Sequence, residues 1–163
     1  MNSITKPMTI LENRQVPVQA KLAAAWTSFM FLYIYVDHLG LYKPGHVDGI
    51  LNGLIWKFDV SATLLTIILV SVSIPALMVV LSMTLPARAN RATNLVVATL
   101  YIPFSVCNAA GATWEWAAFY GLSIGIEVLI LAFILRSAWT WPRTYSDAAD
   151  VATADRLQQQ AHA

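Results

Sequence analysis

Residues 114–143, WEWAAFYGLSIGIEVLILAFILRSAWTWPR, read as a complete membrane-crossing helix. Trp114 and Trp116 stand at one end, Trp139 and Trp141 at the other. Between Trp116 and Trp139 lie 23 helical steps, about 34 Å at 1.5 Å per residue and enough for a hydrocarbon core of about 30 Å. Tryptophan favours the headgroup level because its ring is apolar and its N–H is not, so the pairs mark both faces. Glu127 falls midway between them. An acid at that depth costs about 2.5–3.5 kcal/mol, so it must be neutral, partnered or facing water.

The rest of the chain fits the same solvent. Of 163 residues, 58% are hydrophobic and only 12% charged, half the charge of an ordinary soluble domain. A net charge of +1 with no basic stripe argues against a nucleic-acid partner. The single cysteine, Cys107, excludes an internal disulfide or a CxxC redox pair. Residues 1–20, polar and holding Pro7 and Pro17, read as an extended cytoplasmic tail. They lack the apolar core of a cleaved leader, so the first span is expected to act as an uncleaved insertion signal.

Within residues 21–143 the pattern predicts four spans. The first covers about 22–42 and stops at Pro44-Gly45. From Val47 to Phe58 the apolar residues follow one helical face, but twelve residues cannot span, so a short interfacial helix is expected there. The second span, about 60–85, is capped by Asp59 or Ser61, kinked at Pro75 where the Ser71 carbonyl is displaced, and ended by Pro86. Residues 87–91 then read as a basic turn. The third span covers about 92–110, the fourth about 114–140 with Thr113 as its cap. Residues 144–163 read as a polar cytoplasmic tail. The expected fold is therefore all-α, an up-down four-helix transmembrane bundle. Eight lysines and arginines fall on the side of the termini and the 86–91 turn, against Lys43 and Lys57 opposite. That bias places both termini in the cytoplasm.

Tyr33-Ile34-Tyr35-Val36-Asp37 with Pro44-Gly45 downstream, then Ala89-Asn90-Arg91-Ala92-Thr93-Asn94, then a glutamate-bearing last span ending in tryptophans, resemble the bacterial family catalogued as domain of unknown function 6326. The resemblance covers roughly residues 16–142. It implies a four-helix inner-membrane protein, similar in architecture to DoxX-like proteins, and carries no established activity.

The polar residues supply the candidates. On a helix, Tyr120, Ser123, Leu131 and Ile134 share the side of Glu127. Glu127 is a proton or cation site, or a hydrogen-bonded strut reaching Ser71, Ser73 or Tyr101. No lysine or arginine lies centrally in any span, so Glu127 is expected to keep its proton at neutral pH. Asp37 lies toward the outer face, either the second carboxyl of a relay with Glu127 at a different depth or one half of an ion pair with Lys43 or Lys57. Asn108 is within its range. His38, His46, Asp37 and Asp48 could in principle ligate a divalent ion, but their spacing matches no established metal motif, and no metal or other cofactor is expected. Glu115 suits the first turn of the last span, where the helix dipole favours an acid. Gly121 and Gly125, with Ala118 and Ala132, form a small-residue ridge for close helix contact within the bundle or between copies.

Three classes of function remain. Proton-coupled transport or permeation would use Glu127 and Asp37. A structural or accessory subunit would use the Gly121/Gly125 ridge to meet a second copy or a partner membrane protein. A membrane enzyme on a lipid-soluble substrate would need catalytic groups, and no Ser/His/Asp arrangement, thiol pair or phosphate loop is evident.

Overall fold

The computed structural model describes residues 15–108 and 113–142, together with Gln160. The tail beyond 142, most of the N-terminal tail, and the Gly111 link to the last span lie outside the described residues, as does the expected end of the third span.

Helix α1 runs Val18–Gly40, starting ahead of Lys21 because Pro17 supplies the first turn's acceptor: its carbonyl takes the Lys21 N–H at 3.1 Å. Proline suits a helix start, where its missing N–H has no intrahelical partner to lose. Three successive i→i+3 bonds, from Leu41, Tyr42 and Lys43, tighten the far end before Pro44. Gly45, at φ 76°, then turns the chain into α2, His46–Leu51.

The expected helix over 47–58 is cut short. Gly53 adopts φ 78° and Trp56 φ 57°, both outside the helical region. The chain folds back as a hairpin instead, β1 Leu54–Ile55 against β2 Phe58–Asp59, with Leu54 opposite Asp59 and Ile55 opposite Phe58. The Val60 N–H closes the loop on the Gly53 carbonyl at 2.8 Å. Glycine at that position makes the left-handed turn at no steric cost, which helical periodicity does not register.

Helix α3, Ala62–Thr84, begins at Ser61, whose hydroxyl accepts the Leu64 N–H at 3.1 Å. Pro75 lies inside it. The Ser71 carbonyl, which Pro75 deprives of its helical donor, receives the Tyr101 hydroxyl. Pro86 both ends α3 and opens α4, Ala87–Cys107. The expected basic turn at 87–91 is therefore the first turn of a helix, and only Leu85 and Pro86 link the two. A 3₁₀ turn, Trp114–Trp116, leads into α5, Ala117–Trp139. Thr113 precedes that turn but its side chain makes no capping bond. Glu115, placed in the turn, is exposed.

Helix α1 packs along α3 and α5, and α4 along α5, while α3 and α4 touch sparingly beyond their link. Trp26 and Phe29 of α1 fill the centre, edge-on to one another at 5.8 Å and to Tyr101 of α4 at 6.2 and 5.8 Å. Met78, Ala98, Leu131 and Ile134 close around them. Helix α3 buries only Pro75, Met78 and Ser82, leaving residues such as Leu65, Ile67, Leu69, Leu77 and Val80 exposed. A helix apolar all round with its surface uncovered is solvated by something other than water. Among the described residues two stretches, Ala62–Thr84 and Trp114–Trp139, are long and apolar enough to cross a membrane.

Candidate functional site

Buried polar groups gather in two layers separated by aromatic rings. The first lies where α3 turns into α4. The Trp26 indole N–H donates to the Asn94 side-chain oxygen at 2.7 Å. The Asn94 amide donates to the Asn90 carbonyl at 2.9 Å and to its side-chain oxygen at 2.7 Å. Asn90 in turn donates to the Ser82 carbonyl at 2.6 Å. Trp26, Ser82, Asn90 and Asn94 are all wholly buried. Asn90 and Asn94 stand in the 89–94 motif that resembles the family, but that motif does not by itself point to a network. The spacing of four between Asn90 and Asn94 puts both amides on one face of a helix, but the sequence predicts a turn over 87–91.

The second layer lies at the hairpin end and centres on Glu127, which is only 3% exposed. Its Oε2 has no hydrogen-bond partner among the described residues, and neither has the buried hydroxyl of Ser105 on α4. Ser105 is the side chain that comes beside the carboxyl, close but outside good hydrogen-bond geometry. The partners expected from sequence are committed elsewhere. Ser71 and Ser73 bond back to the Ile68 and Leu69 carbonyls, each at 2.7 Å, and Tyr101 reaches the Ser71 carbonyl.

Contacts between helices set the depth of this layer. The Lys43 ammonium donates to the Tyr120 hydroxyl and sits over three rings, 5.2 Å from Trp116, 5.3 Å from Phe119 and 4.0 Å from Tyr120. Glu127 marks the middle of α5 yet faces Ser105, two residues from the end of α4. The offset arises because α5 extends past its neighbours toward the hairpin.

Asp37 and His38 are exposed. Neither lysine expected to pair with Asp37 does so: Lys43 occupies its aromatic cage and Lys57 lies over Trp56 at 5.5 Å. His46, at the start of α2, lies within electrostatic reach of Asp37. The His38 ring instead meets Tyr42 edge-on at 5.7 Å. Among the described residues, no three of the histidines, cysteines and acids come together as a metal site would require. Asn108 bonds not to Asp37 but to the Tyr33 hydroxyl, donating at 3.1 Å. Tyr33 stacks between Phe29 and Phe104 at 6.1 and 6.4 Å, and its hydroxyl lies within electrostatic reach of both carboxyls. Gly121 and Gly125 point away from this layer. A side chain at either would meet nothing within 4 Å, so the ridge makes no contact with the described helices. It borders an apolar surface groove of about 570 Å³, lined also by Ala117, Tyr120 and Ile124.

A family model described as a family of unknown function (DUF6326) matches residues 8–144. The chain belongs to this family. No curated protein and no solved structure matches it. In this DUF6326 protein every residue of both polar layers falls inside the matched region.

Proposed function

We propose that this DUF6326 protein is a four-span transmembrane bundle of the bacterial inner membrane, with both termini cytoplasmic, and that Glu127 is a proton-binding group serving proton-coupled transport or permeation. One observation carries the reading: a carboxyl almost wholly buried, with an unpartnered oxygen, beside a buried serine hydroxyl that is equally unpartnered. A buried carboxyl beside a buried hydroxyl makes an interior site able to take up and release a proton. Intramembrane acids mark such relays. The carboxyl lies near the end of α4, so its path to the hairpin side is short.

The test is flux. Purified full-length protein reconstituted in liposomes, with a pH gradient imposed, should dissipate it faster than empty vesicles. Glu127→Gln keeps the shape of the side chain and should fold normally while abolishing that flux. Wild-type flux in Glu127→Gln would reduce Glu127 to a structural group.

The exposed Gly121/Gly125 groove favours a second reading, in which the protein associates with another copy or a partner membrane protein through this face of α5. Small residues with open space above them admit a second backbone closely.

A further inference from the structure

The end of the bundle away from the hairpin carries charge of one sign. Residues 15–26, 80–98 and 132–142 hold Lys21, Arg88, Arg91 and Arg136 and no aspartate or glutamate. The acids of the described residues, Asp37, Asp48, Asp59, Glu115 and Glu127, all fall outside these ranges. Charge bias alone would account for cations scattered around this rim. It does not call for their grouping.

The Arg91 guanidinium lies over the Trp139 ring, 5.7 Å from its centroid, which brings the start of α4 against the end of α5. Arg88, three residues before Arg91, shares its side of α4, and Arg136, three before Trp139, shares that side of α5. Because the two helices run antiparallel, Arg88 stands outward of the stack and Arg136 inward, each by about 4.5 Å along the axis. Arg88, Arg136 and Trp139 are exposed, and Arg91 is half-buried. We propose that Arg88, Arg91 and Arg136 around Trp139 form a headgroup site for an anionic phospholipid of the leaflet at this end. The site rests on the transmembrane reading above and is independent of Glu127.

The chemistry follows from the stack. A guanidinium lying on an aromatic ring gives the ring its face and keeps its N–H edge for an acceptor. That edge matches two oxygens of a phosphodiester, and the ring fixes its plane without consuming a donor. Tryptophan settles at headgroup depth, so Arg91 is held at the level of the phosphate. Arg136, one turn inward, has a stem long enough to return its charge to that level. Farther into the bundle α4 exposes Val96 and Leu100, and α5 exposes Leu129 and Phe133. Acyl chains therefore find apolar surface on both helices, which a free inorganic anion would leave uncovered. A zwitterionic headgroup brings a cation of its own into a ring of arginines. An anionic one does not, and this selects the lipid class.

The experiment titrates the full-length protein in neutral detergent with dioctanoyl phosphatidylglycerol or dioctanoyl phosphatidylcholine, reading bound lipid by native mass spectrometry. Wild type should favour phosphatidylglycerol by about tenfold or more. Arg88→Gln and Arg136→Gln, both at exposed positions that spare the fold, should each weaken it about fivefold and leave phosphatidylcholine unchanged. Arg91→Lys keeps the charge that orients the chain but loses the flat fork, and should weaken phosphatidylglycerol as well. Lys57→Gln, at the hairpin, should bind as wild type. Equal affinity for the two lipids, or wild-type affinity in Arg91→Lys, would overturn the site and leave these arginines as topology determinants. Displacement of the lipid by inorganic phosphate at equal concentration would overturn lipid as the occupant. A protein that stays folded and dispersed without detergent would instead overturn the transmembrane reading on which the site rests.

Discussion

At the scale of single residues, two groups of buried polar side chains divide the molecule into a clamp and a site. Asn94 is the hub of the clamp, bonded to Trp26, Asn90 and, at 3.4 Å, Ser82. Asn94→Leu should therefore strand the Trp26 N–H and an Asn90 acceptor, costing about 1–3 kcal/mol for each buried group left open. A clear fall in the detergent melting temperature is expected, and an unchanged one would mean that the network relaxes onto water. Glu127 was legible from its spacing, since Ser123, Leu131 and Ile134 share its side and all are buried. Ser105 was not. A helical serine usually bonds back to its own carbonyl, and only the register between α4 and α5 reveals that this one does not. The same missing register hid the cage of Lys43, for which an acid had seemed the natural partner.

At the scale of elements, prolines and glycines decide where helices begin and end, and they read differently from either side. Pro75 was legible because a proline in a helix always frees a carbonyl; which side chain would reach it was not. Pro86 stops α3 but equally starts α4, so composition alone turned a helical first turn into a loop. The hairpin at residues 54–59 was invisible because its apolar residues also fit a helical face, and the positive φ of Gly53 and Trp56 decides between the two. Small residues on α5 likewise predict a close contact without saying whose. Since both glycines face open space, Gly121→Leu should leave the melting temperature of the monomer unchanged and reduce crosslinked dimer in membranes. A large loss of monomer stability would show that the groove is filled by this chain itself.

At the scale of the whole molecule, the proposed orientation has a direct check. On a Cys107→Ser background, a cysteine at Asn52 should react with an impermeant thiol reagent in intact cells, and one at Arg88 should not. Both positions are exposed, whereas Asn90 in the same segment is wholly buried and would not report. The reverse pattern would invert the topology. The proposed orientation rests on charge bias and hydropathy, because insertion depends on sums over segments rather than on contacts. The two polar layers, by contrast, exist only once four helices are in register. Their separation has an electrical meaning. Across a bilayer the voltage drops mainly where the interior is dry, and in the proposed membrane arrangement that is the aromatic stretch of about 16 Å between Asn94 and Ser105. Loading Glu127 from the hairpin side moves charge through little of that drop, so its occupancy should ignore membrane potential. A proton driven on through the rings would feel most of it, about 2.3 kcal/mol per 100 mV. Any current carried by this protein should therefore have a voltage-dependent second step and a voltage-independent first one.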